Sequence, residues 1–112
     1  LDLSLETIGD DVTRVVLVGR LDHKGAGEID LKLSTVAGSR RKVIFDLEQV
    51  SFLASMGIRS LVMGAKTIKA KGGRSVILNP QPEVENVLTM SSIDAIIPIF
   101  HDLDAATADV SA

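Results

Sequence analysis

Between Val43 and Gly73 the chain reads VIFDLEQVSFLASMGIRSLVMGAKTIKAKGG, and its apolar spacing changes there from that of a strand to that of a helix. Val43, Ile44, Phe45 and Leu47 form a short apolar run that closes around Asp46 to Glu48, as expected of a strand covered on both faces. Ile58, Leu61, Val62, Ala65 and Ile68 then recur at the three-and-four spacing of one helical face, and Gly72-Gly73 supply a left-handed stop. Ser55 falls at or beside the N-cap of that helix. Serine there is a favoured cap, worth about 1 kcal/mol. The same position also suits an added phosphate, which would meet unpaired N–H groups and the positive end of the helix dipole.

The rest of the chain extends this alternation. Leu3, Leu5 and Thr7 alternate with polar residues as in a half-exposed strand, and Asp10-Asp11 turn the chain into a second strand, Val12 to Gly19, so the fold opens as a hairpin. Ile29, Leu31, Leu33 and Val36 mark a helix over Gly25 to Gly38. From Arg41 onward strand and helix alternate, which predicts an α/β fold with parallel crossovers. A strand from Ser75 to Leu78 ends at Asn79-Pro80, and Pro82 opens a helix running to Met90 with Val84, Val87 and Leu88 on one face. Ile96 to Ile99 reads as an edge strand because Pro98 has no N–H to donate. Leu103 to Ala108 reads as a last short helix.

Composition narrows the function. The chain has 112 residues, 46% hydrophobic and 24% charged, enough for one unit spanning 1–112 with a core that must be aliphatic, since its only aromatics are three phenylalanines. Without cysteine, disulfide and thiolate chemistry are excluded. Neither a basic-then-apolar leader nor a membrane-length apolar run is present, so we expect a soluble, cytoplasmic protein with no membrane insertion. The first residue is Leu1 rather than Met, which leads us to expect at least one residue upstream. A net charge of −3 argues against direct nucleic-acid binding. Arg40-Arg41-Lys42 and the group Lys66, Lys69, Lys71 and Arg74 read as solvated charge near helix and strand ends, or else as a rim that steers an acidic partner.

The case for an enzyme is weak. His23 and His101 lack partners at metal-ligand spacing, no phosphate-binding loop is present, and Gly25-Ala26-Gly27 is too short for a dinucleotide fingerprint. Asp46 invites comparison with a receiver phosphoacceptor. The acidic pair and the lysine that a receiver needs are missing, however, because the other strands lead into Asp22-His23 and Asn79-Pro80. Asp46 then reads as a backbone-bonded loop carboxylate. We expect no catalytic residue, cofactor or metal.

The segment FDLEQVSFLASMG followed by an apolar helix resembles the signature of STAS domains, particularly the bacterial anti-sigma factor antagonists. Val15-Val16-Leu17-Val18-Gly19-Arg20-Leu21-Asp22 is similar to the family's second strand with its Gly-x-Leu-Asp pattern. The order of Gly72-Gly73, Ser75 to Leu78, Pro82 to Met90 and Ser91-Ser92-Ile93 also follows the family. The resemblance implies a single STAS-like fold: a mixed, mostly parallel sheet of roughly four or five strands with an N-terminal β-hairpin, and a similar number of helices packed mainly on one side. It implies an anti-sigma factor of the ATP-binding serine kinase type as partner, phosphorylation at Ser55 that switches binding off, and a serine phosphatase that resets it. The partner surface implied comprises Asp22, His23, Ala54, Ser55, Met56, Gly57 and Arg59. Ala54, Met56 and Arg59 stand where the family's usual aspartate, second hydroxyl residue and second glycine would be. Asp22 also reads, from position alone, as a cap for the helix after it. The alternative function is an interaction subunit of a lipid-transport or transporter-regulating assembly, without phosphorylation.

Overall fold

The computed structural model describes residues 1–112. Its elements follow in the order β1 (Asp2–Ile8), β2 (Val12–Leu21), α1 (His23–Ser39), β3 (Lys42–Leu53), α2 (Ser55–Ala70), β4 (Arg74–Leu78), α3 (Pro82–Met90), a 3-10 turn (Ile93–Ala95), β5 (Ile99–Phe100) and α4 (Leu103–Val110). β1 pairs antiparallel with β2, and β3, β4 and β5 are each added in parallel, so the sheet order is β1-β2-β3-β4-β5. The expected hairpin and the parallel crossovers are both present.

The unbroken apolar run of β3 has a direct cause. Val43, Phe45 and Leu47 enter the larger core, shared with Ile29 and Leu33 of α1, Leu61 and Ile68 of α2, and Val84 and Leu88 of α3. Ile44 points the other way, into a smaller core with Val76, Leu78, Ala106 and Val110. A strand covered on both faces reads as a near-continuous apolar run rather than an alternating one. The helices thus lie mainly on one side, with α4 covering part of the other.

Several expected boundaries shift, among them the end of β2, which continues past Gly19 to Leu21 through its pairing with β3. β3 continues past Leu47 to Leu53, because Val50 and Leu53 keep the inner face buried while Glu48, Gln49 and Ser51 occupy exposed positions. α1 begins at His23 rather than Gly25, since Asp22 caps it. The edge strand shortens to Ile99–Phe100. Ile96 lies at the end of the 3-10 turn, and Pro98 offers only its carbonyl, which accepts from the Ile77 N–H at 2.8 Å. α4 runs on to Val110, which is buried in the smaller core. Asp46, read as a loop residue, sits inside β3 with its side chain 5% exposed. One of its carboxylate oxygens accepts from Arg14 Nε at 2.9 Å and Nη2 at 2.7 Å, and the other accepts from the Glu48 N–H at 3.0 Å. No helix is long and apolar enough to cross a membrane.

Candidate functional site

The helices α1 and α2 both start at the same end of the sheet, where β2 and β3 finish side by side. Leu21 pairs with Leu53, and the Ala54 N–H donates to the Leu21 carbonyl at 3.1 Å. Each helix is held against β2 by a glycine in its first turn. A Cβ on Gly25 would lie 2.1 Å from the Arg20 carbonyl oxygen, and one on Gly57 would lie 2.3 Å from that of Leu21. Neither contact is tolerable for a carbon atom, so glycine is required at both places. Gly25, unremarkable as part of a nucleotide motif, is explained by this close approach.

The two helix starts differ in charge. At α1, Asp22 is the N-cap: its Oδ1 accepts from the Gly25 N–H at 2.8 Å and its Oδ2 from Arg20 Nε at 3.4 Å. The Gly25 hydrogen bond holds the Asp22 carboxyl below the ordinary aspartate value; partial burial opposes this, and Arg20 adds to it by hydrogen bond and charge. At α2 the N-cap is Ala54, and no side chain caps the helix. Ser55 is therefore the first helical residue rather than the cap itself, and its side chain is exposed. The capping role fits Asp22 and fails for Ser55, because the strand pairing carries the chain one residue past Leu53 before the helix opens.

The other residues of the expected surface divide into two groups. His23 and Arg59 are exposed, and Ala54 and Met56 are half-buried around Ser55. Gly57 is buried against Leu21 and Leu53, so its lack of a side chain serves packing inside the protein and not close approach by a partner. Beyond Met56, an open groove of about 320 Å³ runs between α1 and α2, with Asp30 and Arg59 on its rim. Ser60 spans it, donating from its hydroxyl to Asp30 Oδ1 at 2.6 Å.

Arg20 and Phe52 belong to the same end of the sheet and were not singled out from the sequence. They pair across β2 and β3, with Arg20 Cζ 4.2 Å from the Phe52 ring centroid. The available signal was an aromatic residue at a solvent-facing strand position in a chain with only three of them. No group of three or more His, Cys, Asp or Glu side chains is placed to share a metal ion.

Comparison with known proteins places this arrangement in context. Residues 4–106 match the STAS domain. The anti-sigma F factor antagonist of Lysinibacillus sphaericus is 30% identical over 91 residues, covering 80% of this chain and 78% of that protein. The structure of the anti-sigma factor antagonist SpoIIAA in its unphosphorylated form superposes with a TM-score of 0.80 at 26% identity, covering 99% of this chain and 98% of that one. The Bacillus cell fate determinant SpoIIAA in its phosphorylated form superposes with a TM-score of 0.73 at 25% identity, covering 96% and 99%.

Proposed function

The chain belongs to the STAS domain family, and from that premise we propose that it is an anti-sigma factor antagonist, switched by phosphorylation of Ser55. In this reading the unmodified protein binds an anti-sigma factor of the ATP-binding serine kinase type and releases the sigma factor held by it. The kinase phosphorylates Ser55 and the complex separates; a serine phosphatase restores binding. Asp22, His23, Ala54, Met56 and Arg59 form the contact surface around Ser55. The observation that carries the reading is the exposed Ser55 hydroxyl at an uncapped helix start, beside a neighbouring helix start already capped by Asp22.

The physical argument concerns where the phosphate charge acts. In the free protein, a group carrying about −1.5 to −2 charges at the first residue of α2 faces first-turn N–H groups that no side chain caps. The helix dipole adds about 0.3 to 1 kcal/mol in its favour. Phosphorylation is therefore compatible with the fold. In the complex, one unit of like charge at about 5 Å and an effective dielectric near 20 costs about 3 kcal/mol, on the order of 100-fold in affinity. A bound nucleotide or a partner carboxylate opposite Ser55 supplies that charge. Repulsion across the contact outweighs any effect inside the protein, so the backbone changes little.

Incubation with ATP and each candidate anti-sigma kinase of the source organism, followed by intact-mass measurement, is the direct test. One added phosphate on the parent and none on Ser55→Ala is expected. Ser55→Ala stays bound in the presence of ATP, whereas Ser55→Asp binds poorly with an unchanged circular dichroism spectrum. Ser55→Asp binding as tightly as the parent would remove the basis of the switch.

A further inference from the structure

We propose that Arg20 and Phe52 form a preorganised anchor for the partner: an aromatic shelf carrying a guanidinium fork, suited to a partner segment that presents a carboxylate beside an apolar side chain. The inference rests on the reading of the chain as an anti-sigma factor antagonist and names a part of the contact surface that lies outside the family signature's helix.

The anchor stands on an arm of the sheet. Pairing between β3 and β4 ends at Asp46 with Leu78, whereas pairing between β2 and β3 continues to Leu21 with Leu53. The final part of β2 and β3 is thus a two-stranded projection, and its register shifts between Val16 and Val18 and between Gly19 and Arg20. Phe45 is fully buried, whereas Phe52 on the arm is 40% exposed. An aromatic ring left 40% exposed, in a chain with only three aromatics, is of a residue type enriched at protein interfaces.

Arg20 lies on that ring with its side chain 61% exposed. The guanidinium carbon lies over the ring, and Nε turns toward Asp22 Oδ2 at 3.4 Å, while neither Nη atom donates a hydrogen bond within the protein. A planar, permanently charged fork with both terminal nitrogens free matches a carboxylate in the bidentate geometry that lysine cannot provide. The ring contact and the Nε hydrogen bond favour one placement of the guanidinium before binding, which lowers the ordering cost of a contact there. Asp22 ties the anchor to the switch, since the same carboxylate that takes Arg20 caps α1 next to the start of α2. Phe52 lies only three residues before Ser55 on the chain.

The test is a kinetic binding series against the immobilised candidate kinases, using the parent, Ser55→Asp, Arg20→Ala, Arg20→Lys, Phe52→Ala and Phe52→Leu. Arg20→Ala and Phe52→Ala are each expected to weaken binding about 30-fold, chiefly through faster dissociation. Arg20→Lys should keep the association rate yet lose most of the affinity, which a merely structural arginine would not do. Phe52→Leu retains apolar bulk without the ring face, so its loss of binding with an unchanged melting temperature separates anchoring from folding. Should Ser55→Asp lose binding while the Arg20 and Phe52 variants bind like the parent, the anchor is refuted and the switch stands. If the parent binds none of the kinases, the functional reading itself fails and the anchor falls with it.

Discussion

Replacing Gly57 by alanine tests the close approach that sets α2 beside β2. The added Cβ would lie 2.3 Å from the Leu21 carbonyl oxygen, 2.6 Å from Leu21 Cγ and 3.0 Å from Leu53 Cδ1. Because the nearest atom is backbone, no side chain can rotate away to relieve the overlap; the start of α2 must move. Overpacking of this kind costs about 2 kcal/mol. The same carbonyl accepts from the Ala54 N–H at 3.1 Å, and disturbing that bond adds about 1 kcal/mol. Alanine returns about 1 kcal/mol through its better helix propensity. The net loss is about 2 kcal/mol, or a fall of about 8 to 10 °C in melting temperature for a chain of this size. Gly64 in the same helix provides the control. A Cβ there meets Phe45 Cζ at 3.6 Å and Leu33 Cγ at 3.8 Å, ordinary contacts, so Gly64→Ala should raise the melting temperature by about 4 °C. Thermal melts followed by circular dichroism measure both. A Gly57→Ala protein melting within about 2 °C of the parent would refute the claim that backbone contact positions α2.

Other substitutions probe the remaining supports. Asp46→Ala leaves the Arg14 guanidinium and the Glu48 N–H without their acceptor in a mostly buried site, so urea denaturation should show a loss of about 3 kcal/mol, with Asp46→Asn losing less. Asp22 makes its contribution pH-dependent. Its carboxyl titrates below the ordinary value of 3.8 when folded, so the charge contributes fully above that pH and is lost as pH falls through the lowered value. Asp22→Asn, which can still cap, should melt below the parent at pH 7, and melts repeated down to about pH 2 should show the two converging. A gap that stays constant across that range would mean the carboxylate charge is not what stabilises the start of α1.

Much of the architecture was legible because it is written in local spacing. The hairpin, the crossovers and the helix from Pro82 to Met90 follow from periodicity and turn residues, which act over a few positions. The junction holding Ser55 was legible for the same reason, and its exposure follows from standing between a buried strand and a helix. Family resemblance then supplied meaning that spacing could not. What stayed hidden depends on neighbours far along the chain. Whether Ser55 caps its helix or follows the cap turns on the pairing of Leu21 with Leu53. That Gly57 faces inward depends on the Leu21 carbonyl, and that Asp46 belongs within a strand depends on its pairing with Val16 and Leu78.

The amino-acid order by itself determined which segments become strands and helices and where a hydroxyl would meet a helix start, since those are contests between adjacent residues. Only the assembled sheet decided that Ala54 takes the cap position of α2, so that this helix start stands open. It also decided that Arg20 would lie on Phe52, because a parallel pair brings together residues whose separation along the chain carries no trace of their contact.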